Sequence, residues 1–159
     1  MGILTDDMKR VITEQKVGYV ATVCADGTPN LSPKATMLVP DDDHIMFADI
    51  RSPNTAENLA RMPVLEINFL DLFSRKGYRF KGTAQYAAQG TAVYDDLLPY
   101  FERWGDLRSD FRGIVKVAVE RALPVTSPAY DRGATEEGLR SEWQAYYLGL
   151  AETSGHSES

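Results

Sequence analysis

Three short stretches of the chain hold polar groups where a plain strand or helix would only need to pack. In Leu31-Ser32-Pro33-Lys34-Ala35-Thr36-Met37, strand alternation places Ser32, Lys34 and Thr36 on one face, opposite Leu31, Ala35 and Met37. Pro33 has no backbone N–H, so it marks a sheet edge or a bulge, where neighbouring N–H and C=O groups stay free for a ligand. In Ala48-Asp49-Ile50-Arg51-Ser52-Pro53-Asn54-Thr55, a guanidinium, two hydroxyls and an amide stand in a loop that opens a helix. Helix N-termini offer unpaired N–H groups and the positive end of a dipole, and arginine adds a charged fork, which together suit a phosphate. In Arg75-Lys76-Gly77-Tyr78-Arg79-Phe80-Lys81-Gly82-Thr83, four cations gather in an otherwise acidic chain, with Arg79, Lys81 and Thr83 on one strand face. Each stretch also has a plain structural reading: a strand face meeting water, an ordinary N-cap, a solvated basic face.

Commoner catalytic patterns do not occur: the sequence has no G-x-G-x-x-G, P-loop, H-E-x-x-H or G-x-S-x-G. The two histidines, His44 in an acidic turn and His156 near the C-terminus, do not make a multi-histidine metal site or a well-held Ser-His-Asp triad, and no metal is expected. The single cysteine, Cys24, cannot form an internal disulfide and reads as a packing residue suited to a reducing compartment. Lys plus Arg number 17 against 23 Asp plus Glu, a formal charge of −6, so nucleic acid and anionic membrane surfaces are not expected partners. No run approaches the roughly 20 apolar residues of a membrane helix, and the N-terminus becomes charged too early for a secretory signal. A soluble, cytoplasmic protein is expected.

The length of 159 residues, 43% of them hydrophobic, suits one domain, expected over residues 1–151, with 152–159 a disordered tail that has nothing to bury. Thr5 caps a short helix ending near Gln15. The β-branched run from Val17, the turn residues Asp26-Gly27-Thr28-Pro29 and the extended run Leu31–Val39 predict a hairpin with a loop longer than two residues. A third strand begins at His44, a helix spans Thr55–Arg61, and strands cover Val64–Asp71 and Tyr78–Tyr86. An amphipathic helix is expected over Thr91–Trp104, a strand over Ile114–Val119 and a last helix over Thr135–Leu150. These elements make an α+β, mainly β, protein built on a small closed barrel.

The segments GYVATVCADGTPNLSPKATMLV, HIMFADIRSPNTAENL, VLEINFLD and SRKGYRFKGTA, in that order from about Val17 to Ala88, closely resemble the flavin-binding split-barrel proteins related to pyridoxamine 5′-phosphate oxidase. The resemblance implies a six-stranded antiparallel split β-barrel with flanking helices, forming a homodimer with FMN near the subunit interface. It places Ser32, Pro33, Lys34, Ala35 and Thr36 along the flavin ring. Ala48, Asp49, Arg51, Ser52, Asn54 and Thr55 fall at the ribityl phosphate, with Lys34, Arg51, Ser52, Asn54 and Thr55 as ligands. Lys76, Gly77 and Arg79 fall where a neighbouring strand, often helped by the second subunit, meets the cofactor. Hydride or electron transfer with a small molecule or nicotinamide cofactor follows as the expected activity. A non-enzymatic flavin-binding or redox-sensing role and an F420-dependent reductase are the alternatives. The C-terminus departs from true pyridoxamine phosphate oxidases, ending on an aromatic helix whose Trp143, with Tyr146 and Tyr147, is expected to cover the pocket rim.

Overall fold

Six strands form one antiparallel sheet that curls into a half-barrel, with burial alternating at period two most plainly along Val64–Asp71. The computed structural model describes residues 2–154. The strands are β1 (Gly18–Val23), β2 (Pro29–Lys34), β3 (His44–Asp49), β4 (Val64–Asp71), β5 (Lys76–Ala88) and β6 (Gly113–Thr126), ordered β2-β1-β4-β5-β6-β3. Four α-helices flank them: α1 (Asp6–Gln15), α2 (Pro53–Arg61), α3 (Ala92–Leu97) and α4 (Glu136–Ser154). The inward faces bring Val20, Ile45, Phe47, Ile67, Phe69, Phe80 and Val117 into one solvent-free core, and a second cluster around Tyr94, Phe101, Phe111 and Ile114 sits beside α3. Burying one such aromatic side chain contributes about 1.5–3 kcal/mol, so these clusters contribute much of what holds the curled sheet together.

Several elements differ from the sequence reading, each for a local reason. The second extended run stops as a strand at Lys34, because the chain then turns inward and buries Thr36 and Met37 together instead of on opposite faces. The helix expected over Thr91–Trp104 is α only to Leu97; it continues to Asp110 as a 3-10 run, interrupted by non-helical backbone at Phe101 and Gly105. Pro99 opens that run, and its missing N–H fits the change of helix type. β6 runs seven residues beyond Val119 to Thr126, past an irregularity between Lys81 and Gly82 of β5 that leaves Glu120 unpaired. α4 extends to Ser154, so Glu152, Thr153 and Ser154 of the expected tail are helical, with the Thr153 hydroxyl donating to the Gly149 and Leu150 carbonyls. The rest of that tail, and His156, lie outside the described residues.

β2 and β3 are the two edges of the sheet, and their approach creates the feature that matters most. Beyond β2 the chain returns to β3, where Leu38 and Met46 exchange two backbone hydrogen bonds of 2.9 Å. Along the same antiparallel register Thr36 falls opposite Ala48, but there the Thr36 hydroxyl replaces the ladder, accepting from the Ala48 N–H at 3.0 Å. Two residues back, at Lys34, no backbone bond to β3 crosses among the described residues. The barrel is therefore closed at Leu38–Met46 and split at Lys34, and α2 begins beside the split.

The β4–β5 turn is fastened to α4 by charge. Asp71 is buried and accepts from the Phe73 N–H, the Ser74 hydroxyl and the Arg140 guanidinium, at 2.9, 2.8 and 2.8 Å. Burial pushes its carboxyl up, but these partners together outweigh burial and hold it below the usual range. A carboxyl whose folded pKa lies below its unfolded value adds stability above the unfolded pKa and loses it as pH falls through the folded one. Arg140→Met should therefore lower Tm at neutral pH by a few degrees. The gap to the parent should close as pH drops below about 3.9, the ordinary aspartate value. A gap that stays constant to pH 2 in thermal melts would mean the pair contributes nothing through charge.

Candidate functional site

The split gathers a polar cluster between the β2 edge, the end of β3 and the start of α2. Lys34 is 6% exposed, and its ammonium donates to the hydroxyls of Ser32 and Ser52, each at 2.5 Å. Among the described residues no carboxylate pairs with it. Burial lowers its pKa, and attraction from Asp49 only partly opposes this. A buried ammonium held by neutral hydroxyls alone carries a net charge that an anion would satisfy.

α2 is open toward the same place. Ser52 stands at its N-cap but makes no capping bond, because its hydroxyl is turned to Lys34. Pro53 fills the first helical position, where no donor is needed, and the Asn54 and Thr55 N–H groups lack both an intrahelical partner and a side-chain cap. Arg51 is exposed and makes no hydrogen bond or ion pair among the described residues. Behind this opening lies a hydrogen-bonded layer that the sequence reading did not single out. Asn58 donates to Thr22 at 3.0 Å, and Asn30 reaches the Thr22 hydroxyl at 3.2 Å. Asn30 also approaches the Thr55 hydroxyl at 3.5 Å, the outer limit of a hydrogen bond. The available signal was parity: Thr22 shares the inward face with Val20, and a polar group there needs partners.

The expected residues separate into two places. Ser32, Lys34, Thr36, Ala48, Asp49, Arg51, Ser52, Asn54 and Thr55 meet along the split, and Pro33 and Ala35 lie on its β2 side with exposed surfaces. The Asp49 carboxylate is turned inward: it accepts from the Ser52 N–H at 3.0 Å and from the Tyr86 hydroxyl at 2.9 Å. Lys76, Gly77 and Arg79 are not brought to the split within one chain. Arg79 faces outward and pairs with Glu66 at 2.5 Å, three strands from β2, while Lys76 pairs with Glu136 of α4 at 3.0 Å. Trp143 stays with that second group. Its ring lies 3.4 Å under the Arg75 guanidinium, and Tyr147 packs edge-on against Phe73, so within one chain α4 covers the β4–β5 turn. His44 begins β3 with Nδ1 2.8 Å from Asp41, and Cys24 is a half-buried neighbour of Asn58. Among the described residues no group of His, Cys, Asp and Glu is arranged to hold a metal.

Comparison with known proteins agrees with this architecture. The family model for pyridoxamine 5′-phosphate oxidase matches residues 4–125. No curated protein gives a significant match. Among solved structures, HupZ of Group A Streptococcus is 31% identical, with a TM-score of 0.68 over 78% of this chain and 95% of that one. An FMN-binding protein from Syntrophomonas wolfei is 17% identical, with a TM-score of 0.62 over 76% of this chain and 84% of that one. HutZ, the haem storage protein of Vibrio cholerae, is 22% identical, with a TM-score of 0.61 over 77% and 94%. The last two share the fold. With a family match over most of its length and the split barrel in place, the chain belongs to the pyridoxamine 5′-phosphate oxidase family.

Proposed function

We infer that the protein binds FMN along the split and, as a homodimer, passes hydride or electrons between the flavin and a small molecule, nicotinamide nucleotides included. The observation that carries this reading is the buried, unpaired Lys34 ammonium facing an uncapped helix start. An FMN phosphate brings about two negative charges into a chain of formal charge −6, so it needs cations and free N–H groups gathered in one place. Lys34, Ser52, the Asn54 and Thr55 N–H groups, the Thr55 hydroxyl and Arg51 supply them. Ser32 and Pro33 of the edge strand, with Ala35 and Thr36 of the segment that follows it, face the ring, and the Ala35 N–H has no partner among the described residues. Bound flavin would supply redox chemistry; the protein's part is to bind and orient it and to exclude water.

The homodimer is supported by an apolar stripe on the outer face of β2, β1 and β4, where Leu31 is 66%, Tyr19 49% and Val64 44% exposed. A second copy there is the means by which Lys76, Gly77 and Arg79 would approach a cofactor they do not meet in their own chain. Asp49 and Tyr86, the titratable groups near Lys34, are engaged with each other and the Ser52 N–H, which favours, as the second reading, a flavin-binding protein without turnover. Steady oxidation of NADH or NADPH with an acceptor separates the two, and the absorbance of the cofactor released on denaturation separates FMN from F420 or haem.

Arg51→Ala tests the phosphate reading directly. Loss of an exposed charge-assisted hydrogen bond should weaken FMN about tenfold and leave riboflavin, which lacks the phosphate, within about twofold. Titration of both flavins into the apo protein decides it. Equal losses, or none, would remove the phosphate from this loop.

A further inference from the structure

The split holds two buried opposite charges that do not meet. Among the described residues Lys34 donates only to the Ser32 and Ser52 hydroxyls, whereas the Asp49 carboxylate, 4% exposed, is held by the Ser52 N–H on one oxygen and the Tyr86 hydroxyl on the other. Asp49 attracts Lys34 through space, yet no ion pair closes between them among the described residues. Tyr86 reaches Asp49 from β5, across β6, and its phenol lies where any Cβ on Gly113 would come within 2.4 Å of it. The glycine at the start of β6 thus leaves the space that the phenol fills.

Resting on the phosphate reading above, we propose that Tyr86 is a positioning residue: it holds the Asp49 carboxylate against the Ser52 N–H and off Lys34, keeping that ammonium unpaired for the phosphate of a flavin nucleotide. Released from Tyr86, the carboxylate would turn to Lys34, cancel its charge and set a negative group against the phosphate. The Ser52 N–H would lose its acceptor in the same movement, loosening the start of α2. Burial first, and then Asp49, push the Tyr86 phenol up to about 12, so it remains a donor across the neutral range.

Tyr86→Phe keeps the ring and removes the hydroxyl. In the full-length apo protein it should weaken FMN about tenfold and leave riboflavin within about twofold. Adding Asp49→Asn to Tyr86→Phe should restore most of the FMN affinity, because no carboxylate remains to capture Lys34. A merely structural role for Tyr86 makes the opposite forecast, since both flavins would weaken together and the double variant would be worse than the single. Unchanged FMN affinity in Tyr86→Phe, equal losses for the two flavins, or absence of rescue would overturn the proposal. Should the parent protein bind riboflavin as tightly as FMN, the phosphate reading itself falls and takes this inference with it. Discrimination in the parent with an unaltered ratio in Tyr86→Phe would sink this inference alone.

Discussion

Lys34→Met should weaken FMN on the order of a hundredfold while leaving the fold as stable as before, or more so. The two effects point in opposite directions because one feature causes both. A buried ammonium held only by the Ser32 and Ser52 hydroxyls costs folding free energy, since hydroxyls replace water incompletely around a full charge. Methionine keeps most of the volume and removes the charge, and replacing buried charges by apolar groups of similar size is often neutral or stabilising. For an anionic ligand the same ammonium is a desolvated partner, and losing a charge-assisted hydrogen bond there costs about 1.5–3 kcal/mol, up to roughly a hundredfold. Riboflavin should lose far less. Because burial lowers the Lys34 pKa, FMN affinity in the parent should also begin to fall at a lower pH than an ordinary lysine would dictate, and the Met variant should lack that dependence. Flavin titrations across pH, with thermal melts of both proteins, test all three. A destabilised variant that binds FMN normally would show Lys34 to be a structural residue.

What the sequence showed of this site, and what it withheld, follows from the range of the interactions. Periodicity and turn residues are local, so the hairpin, the start of α2 and the shared face of Ser32 and Lys34 were legible. Alternation could not say whether that face meets water or protein. The answer depends on β3 returning to the β2 edge, a contact that bridges a loop and appears in no local pattern. Tyr86 was hidden for the same reason: its partner Asp49 is 37 residues away, and an alternating strand makes every second residue equally eligible to face inward. The basic stretch Arg75–Lys81 shows another limit of local pattern. Its cations are real, but Arg79 and Lys81 share Glu66 of β4, Lys76 pairs with Glu136 of α4 and Arg75 lies on the Trp143 ring, and only the three-dimensional structure shows these partners. The long β6 was missed because Glu120, Arg121 and Pro124 break the apolar alternation, and pairing with β5 carries the strand through them.

Gly77 brings fold and site into direct contest, and Gly77→Ala should produce the largest stability loss of the variants considered. Family resemblance assigns Gly77 to the cofactor, but in the structure it is a buried residue of β5 paired with Leu70. A Cβ built on it would lie 1.9 Å from the Phe69 carbonyl oxygen and 2.9 Å from the Leu70 Cα. Both obstacles are backbone atoms of the neighbouring strand, so no side chain can rotate away; relief requires β4 and β5 to separate beside Phe69 of the core. Overpacking in a well-filled interior costs about 1–3 kcal/mol and more where backbone must move, so a loss of about 3 kcal/mol, or roughly 6–12 °C in Tm for a chain of this length, is expected. Lys76 and the turn tied to α4 would shift with the strand. If Gly77 matters through packing alone, the apo protein should melt early and riboflavin and FMN should weaken in parallel. An alanine variant that melts like the parent yet fails to bind flavin would instead assign Gly77 to close approach by the cofactor. Differential scanning calorimetry of the apo protein, followed by titration of both flavins below the transition, separates the two.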